Sequence, residues 1–386
     1  EVEDAHWQDD DSGQFLQRVA HDLRNEPIVL LIVSREPPSE LFAADVPQRT
    51  LHLAPLTVEE VEELAAARLS AAVSASLVTM LAERTDGNPF SAEQLLRYLE
   101  EEDLLLEVDG SLTLAETDRY IPTDVRAVLI ARLDRLSPGV REVVQAAAVL
   151  GREFEIPVLA RMVEEGPVKV KAAADEGIWS RLTETWYQFR HVLLRDAAYD
   201  MQLQARLQEQ HRLAAEALED VYATNLGPHY ADLAYHYGKA GDVASERHYA
   251  RLAGEQAATQ FANAEAVSYL GRALTLTPEE DYIERYALLL AREKVYDLQG
   301  QRTAQIRDLT ALQELAKALG DDDRLAEVAL RKADYAETTG DFPTAIAAAQ
   351  QAIRLAQATQ DVEREAGGYL RRGRAVPGDL AATLMH

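Results

Sequence analysis

DYAETTGDFPTAIAAAQQAIRLA, residues 334–356, decides the fold of this chain. One helix ends at Gly340, and a second helix starts within a few residues of it. The stretches 233–242 and 295–301 repeat this pattern of a helix, a glycine and a new helix, and Gly300 lies 40 residues before Gly340. A mainly α fold of stacked helix pairs follows from these breaks.

The residues around these breaks resemble the pattern of a tetratricopeptide repeat, in which small side chains let paired helices approach closely. In the last unit these residues are Ala333, Gly340, Asp341, Phe342, Ala345 and Ala352, and an earlier set is Gly254, Ala266, Ala273 and Pro278. We therefore expect degenerate tetratricopeptide-like pairs over residues 211–386, with a generic alanine-rich helical bundle as the alternative. Stacked pairs of this kind form a curved surface, so the expected ligand is a protein or peptide partner.

Length and composition set the class of protein. A chain of 386 residues is long enough for two or three domains, and 47% hydrophobic with 27% charged residues is typical of soluble globular proteins. Without cysteine, disulfides, thiolate zinc sites and cysteine nucleophiles are excluded. No apolar run is long enough to cross a membrane, and we expect a cytoplasmic location.

The net charge of −27 is unevenly distributed: residues 1–121 carry −18, residues 122–200 carry −1, and the remainder carries −8. The acidic excess is typical of solvated helix faces. Nucleic-acid binding normally needs a basic stripe that displaces counterions from phosphates, and no run of lysine or arginine provides one. We expect no direct nucleic-acid binding by this chain.

The N-terminal part follows a different pattern. A predicted amphipathic helix over 12–24 precedes the apolar run IVLLIVS, residues 28–34, which predicts a buried parallel strand covered on both faces. Thr57 and Glu60 form the signature of a capping box and open a helix over 57–69. Further along, Asp109-Gly110 predicts a hairpin turn, and residues 186–191 predict a strand.

The opening EVEDAHWQDDDS, residues 1–12, contains an acidic pair next to an apolar residue. Carboxylates such as Glu3 and Asp4 are the groups that bind Mg²⁺ beside a nucleotide triphosphate and orient an attacking water. Acidic dipeptides are also common on protein surfaces, and a solvated terminus is the alternative.

In its context this opening resembles the Walker B segment of bacterial STAND-type ATPases, the AAA-like signalling ATPases of large LuxR-type regulators and cyclase-associated proteins. Further segments resemble the same family in the same order: PIVLLIVSREPP its sensor strand, RTDGNPFSAEQLLRYLEE its lid, and IPTDVRAVLIARLDRLSP, AAAVLGREFE and YQFRHVLLRDAAYDMQL its winged-helix-like module. Together they cover roughly residues 1–215.

The resemblance implies the fold class, a mainly α chain with a truncated α/β P-loop ATPase remnant, followed by a helical lid, a winged-helix-like module and an α-solenoid. The implied boundaries are 1–53 for the distal ATPase core, 54–118 for the lid, 119–210 for the winged-helix-like module and 211–386 for the repeats.

It also implies roles for single residues. Asp4 and Glu3 would be the catalytic acids, with Glu3 on the metal side and Asp4 orienting the water. Arg35 would contact the γ-phosphate, although a surface arginine beside a Pro-Pro turn is the alternative. Asn88 and Pro89 would lie beside the adenine, although a turn followed by a first-turn proline explains both residues structurally.

The family's P-loop is missing, because no G-x-x-x-x-G-K-S/T segment occurs in the sequence. We expect residues 1–386 alone to bind neither ATP nor Mg²⁺ appreciably, to be inactive as an ATPase, and to leave the apolar run 28–33 without strand partners. In the parent protein, ATP and Mg²⁺ would operate a regulatory switch coupled to the repeats. A small-molecule effector and nucleotide-driven oligomerisation are compatible with the resemblance. The competing hypothesis is a non-enzymatic repeat scaffold with a degenerate ATPase remnant.

Overall fold

The structure of the protein is a computed structural model. It describes residues 2, 5, 10–35, 46–115, 121, 124–164 and 166–375. The chain divides into two compact units, Glu1–Thr117 and Asp118–His386.

Helices dominate both units, which confirms the mainly α prediction. The helices are α1 (Asp10–Asp22), α2 (Val58–Leu69), α3 (Ala75–Thr85), α4 (Pro89–Glu101), α5 (Val125–Arg135), α6 (Pro138–Leu150), α7 (Ile156–Met162), α8 (Gly166–Asp175), α9 (Val192–Asp200), α10 (Gln204–Val221), α11 (Tyr230–Ala240), α12 (Val243–Thr259), α13 (Asn263–Leu276), α14 (Tyr282–Leu298), α15 (Arg302–Leu319), α16 (Asp322–Thr338), α17 (Phe342–Thr359) and α18 (Val362–Ala375). The strands are β1 (Ala72–Val73), β2 (Leu105–Val108), β3 (Ser111–Leu114), β4 (Glu153–Glu155), β5 (Trp179–Arg181) and β6 (Trp186–Phe189). In the described ranges, no helix combines the length and apolarity needed to cross a membrane.

The apolar run 28–34 is the main departure from the sequence-based prediction. It forms a single parallel bridge, between Val2 and Ile32, in which the Val2 N–H donates to the Leu31 carbonyl (2.8 Å) and the Val33 N–H to the Val2 carbonyl (2.8 Å). The side chain of Val29 is 90% exposed. The prediction of a strand buried on both faces is therefore wrong for this structure, whereas the expected shortage of strand partners agrees with the single bridge to Val2 among the described residues.

The rest of the first unit agrees with its local sequence signals. The predicted capping box at the start of α2 is present, with the Glu60 N–H donating to Thr57 Oγ1 and the Thr57 N–H to Glu60 Oε2. The predicted hairpin joins β2 to β3 through Asp109 and Gly110, both at positive φ (52° and 79°). Strand β1 pairs with β3 in parallel and completes a small sheet in the order β1–β3–β2.

In the second unit, helices α5 to α9 surround a three-stranded antiparallel sheet in the order β4–β6–β5. Its core is aromatic, since the ring centroid of Trp179 lies 4.9 Å from that of Phe154 and 5.5 Å from that of Phe189. Trp179 Nε1 donates to the Val170 carbonyl (2.9 Å), which attaches the sheet to α8. Strand β6 confirms the strand predicted over 186–191.

Helices α11 to α18 form an array of antiparallel hairpins with a regular period. The first helix of each pair starts after an aspartate whose side chain accepts backbone N–H groups, at Asp242, Asp281, Asp321 and Asp361. These caps are 39, 40 and 40 residues apart. A period of this kind is that of a helical repeat solenoid, and a generic bundle does not need it.

Small residues bring the paired helices together, as the sequence predicts. Ala266 and Ala273 of α13 are fully buried. A Cβ added to Gly254 of α12 would lie 2.8 Å from Leu270 Cγ and 2.9 Å from the Leu270 backbone nitrogen. Since real Cβ atoms do not approach so closely, α12 and α13 can pack at this distance only with glycine at this position.

The turn between α12 and α13 gives the first stability prediction. Phe261 adopts φ 61° at the position where the next two pairs have Gly300 (φ 67°) and Gly340 (φ 80°), and its side chain is 74% exposed. We expect Phe261→Gly to raise the free energy of unfolding by about 0.5–1 kcal/mol in urea denaturation, because glycine removes the left-handed strain and little packing is lost. The reverse change, Gly300→Phe, should destabilise by a similar amount. An unchanged or lower stability of Phe261→Gly would contradict this interpretation.

Candidate functional site

The predicted nucleotide-site residues lie in the first unit. Glu3 and Asp4, the predicted catalytic and metal-binding acids, are outside the described residues. The Ala5 N–H donates to the Val33 carbonyl (3.0 Å), which extends the contact made by Val2. Arg35, the predicted γ-phosphate contact, follows the same segment and is exposed. The roles of these three residues stay predictions.

Asn88 and Pro89, predicted near an adenine, open helix α4. The Asn88 side chain accepts a hydrogen bond from the Ser91 N–H (3.1 Å) and caps the helix, while Pro89 occupies the first turn. Just before them, Gly87 is buried at φ 68°, and its carbonyl accepts from the Leu56 N–H (2.8 Å). This turn connects α4 to the segment that leads into α2. Both predicted residues thus have a structural role and are exposed to solvent, and the adenine contact stays a prediction.

A cleft of about 380 Å³ opens between α12 and the start of α14 in the helical array. It is lined by Ala244, Arg247, His248, Arg251, Leu252, Glu255, Asp281 and Glu284. Arg251 joins its two walls, because Nε donates to Glu255 Oε1 (2.8 Å) and Nη1 to Glu284 Oε2 (2.6 Å). These two carboxylates raise the pKa of Arg251 above its usual range and keep it a fixed cation.

Two further polar side chains face this cleft without being held in the same way. Arg247 is partly buried, and no described residue accepts a hydrogen bond from its guanidinium. His248 is exposed, with its ring edge-on to that of Tyr249 at a centroid distance of 5.0 Å. The cleft therefore offers the hydrogen-bond donors of Arg247 and His248, beside the ion pairs that Arg251 makes with Glu255 and Glu284.

A buried histidine pair lies where α9, α10 and α11 meet. Tyr199 Oη is 2.9 Å from His211 Nε2, and His211 Nδ1 is 2.9 Å from His236 Nδ1, so that one ring nitrogen donates and the other accepts. Burial, with smaller contributions from Lys239 and Arg195, lowers the pKa of His211 to about 4. Burial and then His211 itself lower the pKa of His236 to about 3. Both rings are neutral near pH 7.

This pair predicts acid sensitivity. Unfolded histidines bind a proton near pH 6.5, whereas the folded pair stays neutral to about pH 4, so the unfolded state binds more protons as the pH falls through this window. Between pH 7 and pH 4.5, stability should fall by about 2 kcal/mol for each of the two histidines, beyond the loss due to other groups. His236→Asn keeps a group at the Nδ1 position that does not titrate, and it should reduce the difference in urea stability between pH 7 and pH 4.5. His248→Asn, at an exposed site, is the control, and an equal change of that difference in both variants would contradict the prediction.

Neither the cleft between α12 and α14 nor the buried histidine pair was predicted from the sequence. Arg247, Arg251 and Glu255 follow each other at intervals of four residues on one helix, which was the available signal for the cleft wall. His211 and His236 belong to different helices, and only the packing brings them together. Among the described residues, no group of three or more histidine, aspartate or glutamate side chains is arranged to hold a metal ion.

Comparison with known proteins gives three findings. No protein-family model matches the sequence. The chain is similar to "Uncharacterized protein R02095" of Rhizobium meliloti (strain 1021), with 29% identity over 306 residues that cover 75% of this chain and 29% of that protein. It thus spans less than a third of the length of this relative.

Among solved structures, the chain is similar to a Signal Transduction ATPase with Numerous Domains (STAND) protein with a tetratricopeptide repeat sensor, PH0952, from Pyrococcus horikoshii. The TM-score is 0.36 and the identity 12%, over 89% of this chain and 60% of that chain. A likeness of this degree assigns no function to the chain.

Proposed function

We propose that this chain is part of an ATP-dependent regulatory switch, in which nucleotide state is coupled to partner binding by the helical array. The observation that carries the proposal is the array itself, with its period of 39–40 residues, on the same chain as the ordered segments that resemble a STAND ATPase. Solenoids of this kind present long surfaces to protein partners.

The elements between the first unit and the helical array also support the proposal. The order α6–β4–α7–α8–β5–β6 and the sheet order β4–β6–β5 support a winged-helix-like module within 119–210. In the proposed mechanism Glu3 would hold Mg²⁺, Asp4 would orient water, and Asn88 and Pro89 would lie beside the adenine. Arg35 would contact the γ-phosphate in one state only, and this difference in binding energy would shift the population of the two states.

The test is calorimetry with ATP and ADP in the presence of Mg²⁺. It is made on residues 1–386 and on the same chain extended at its N-terminus by one domain length. We expect only the extended chain to bind, and Asp4→Asn to abolish hydrolysis while Asp22→Asn, an exposed acid at the end of α1, leaves it intact. If neither form binds nucleotide, the switch is refuted and the non-enzymatic scaffold takes its place.

A further inference from the structure

We propose that the cleft between α12 and α14 binds an acidic side chain of a peptide partner, with Arg247 as the carboxylate-binding residue and His248 as a second donor. The inference deepens the proposed function, and it rests on the part of that proposal that makes the array the partner-binding surface. It specifies which chemical group of the partner, a carboxylate, binds at one position of the array.

The two arginines of the cleft differ in their hydrogen-bond partners. Arg251 is satisfied by Glu255 and Glu284, whereas Arg247, four residues earlier on the same helix, has no acceptor among the described residues although it is partly buried. A guanidinium that has lost part of its hydration and has no acceptor is ready to bind an anion. Its planar fork fits a carboxylate with two parallel hydrogen bonds.

The next step of the array carries different side chains at the equivalent positions. Thirty-nine residues after Arg247, at the equivalent position, Tyr286 is buried and the guanidinium of Arg324 lies 5.2 Å from its ring centroid. Tyr286 Oη also donates to the Arg324 carbonyl (3.3 Å). Tyr286 and Arg324 thus contact each other between α14 and α16, whereas their equivalents, Arg247 and Glu284, line the open cleft between α12 and α14.

The carboxylates that line the cleft limit the charge of the ligand. Glu255 and Glu284 are neutralised only in part by Arg251, and the Asp281 carboxylate caps α14 by accepting from the Glu284 N–H (3.2 Å). Three carboxylates around two guanidinium groups would repel a dianion more strongly than a single carboxylate. The cleft therefore favours aspartate or glutamate over a phosphate group.

Its size and lining point to a peptide side chain. A volume of about 380 Å³ that is open to solvent accommodates one or two side chains rather than an enclosed cofactor. Leu252 and Ala244 supply apolar surface for the methylene groups beside the carboxylate.

The test uses fluorescein-labelled heptapeptide pools with random flanks and a fixed central aspartate, glutamate, asparagine, glutamine or phosphoserine, with binding to residues 1–386 followed by anisotropy. We expect the aspartate and glutamate pools to bind at least about tenfold more tightly than the amide pools. Arg247→Gln should abolish this preference, and Arg247→Lys should retain part of it. Arg354→Gln, an exposed arginine on α17, is the matched control and should change nothing.

Equal binding of acidic and amide pools, an undiminished preference in Arg247→Gln, or no binding at all would overturn the proposal. Preference for the phosphoserine pool would overturn the choice of a carboxylate. Because Arg247 has no partner among the described residues, Arg247→Gln should keep the wild-type melting temperature. Nucleotide calorimetry on the extended chain is independent of these pools, so a failure of the cleft is distinguishable from a failure of the switch.

Discussion

Arg331→Met should lower the free energy of unfolding by about 3–5 kcal/mol, because it leaves a buried carboxylate without its cation. Glu293 of α14 is 1% exposed. Its Oε2 accepts from Arg331 Nη1 of α16 (2.8 Å), and its Oε1 accepts from Gln305 Nε2 of α15 (2.8 Å). These hydrogen bonds join α14, α15 and α16. Their loss should therefore weaken the packing of the helix pair α14–α15 against α16.

Urea denaturation followed by circular dichroism measures this effect. Lys317→Met, which removes an exposed pair with Glu314, is the control and should cost at most about 1 kcal/mol. The double variant Glu293→Leu with Arg331→Met should recover most of the loss, because no unpaired charge then stays buried. A loss in Arg331→Met no larger than in the control would show that the ion pair does not hold the array together.

Gly87→Ala should destabilise the first unit by about 2–5 kcal/mol, which combines left-handed strain with a backbone clash. An added Cβ would fall directly on the Leu56 carbonyl oxygen and 2.9 Å from the Leu56 nitrogen. Neither atom belongs to a flexible side chain, so the whole turn before Asn88 would have to shift. If nucleotide binds at this turn, the same variant should also weaken that binding.

Hydrogen exchange of the α4 amides reports on this unit separately from the array. Gly110→Ala is the matched control, because Gly110 has a similar φ of 79° but nothing within 4 Å of the added Cβ. Gly110→Ala should therefore show only the cost of the left-handed backbone conformation, about 1–2 kcal/mol. Equal effects in the two variants would mean that the close approach to Leu56 is unimportant.

The elements that sequence reasoning predicted correctly are those fixed by local chemistry. The box of Thr57 and Glu60, the turn at Asp109-Gly110 and the glycine breaks at Gly300 and Gly340 each act over a few residues. Such signals predict the same local structure in almost any tertiary context. The aspartate caps at intervals of 39–40 residues were also visible in the sequence and would have given the repeat length directly.

The features that could not be predicted depend on distant packing. The run 28–34 has the composition of a buried strand, but burial requires neighbours that a composition does not supply. The contact of His211 with His236 spans two helices, and the isolation of Arg247 follows from where Arg251 finds its carboxylates. The domain boundaries at 53, 118 and 210 and the roles of the predicted nucleotide residues remain predictions.

The measurement that tests the central claim most directly is hydrogen exchange across residues 230–375 in the N-terminally extended chain. The extended chain is saturated with Mg²⁺ and either ADP or a non-hydrolysable ATP analogue. A switch that couples nucleotide to the array should change the protection of amides in α11 to α18 between the two nucleotides. Identical protection in the array, with both nucleotides bound, would contradict the coupling.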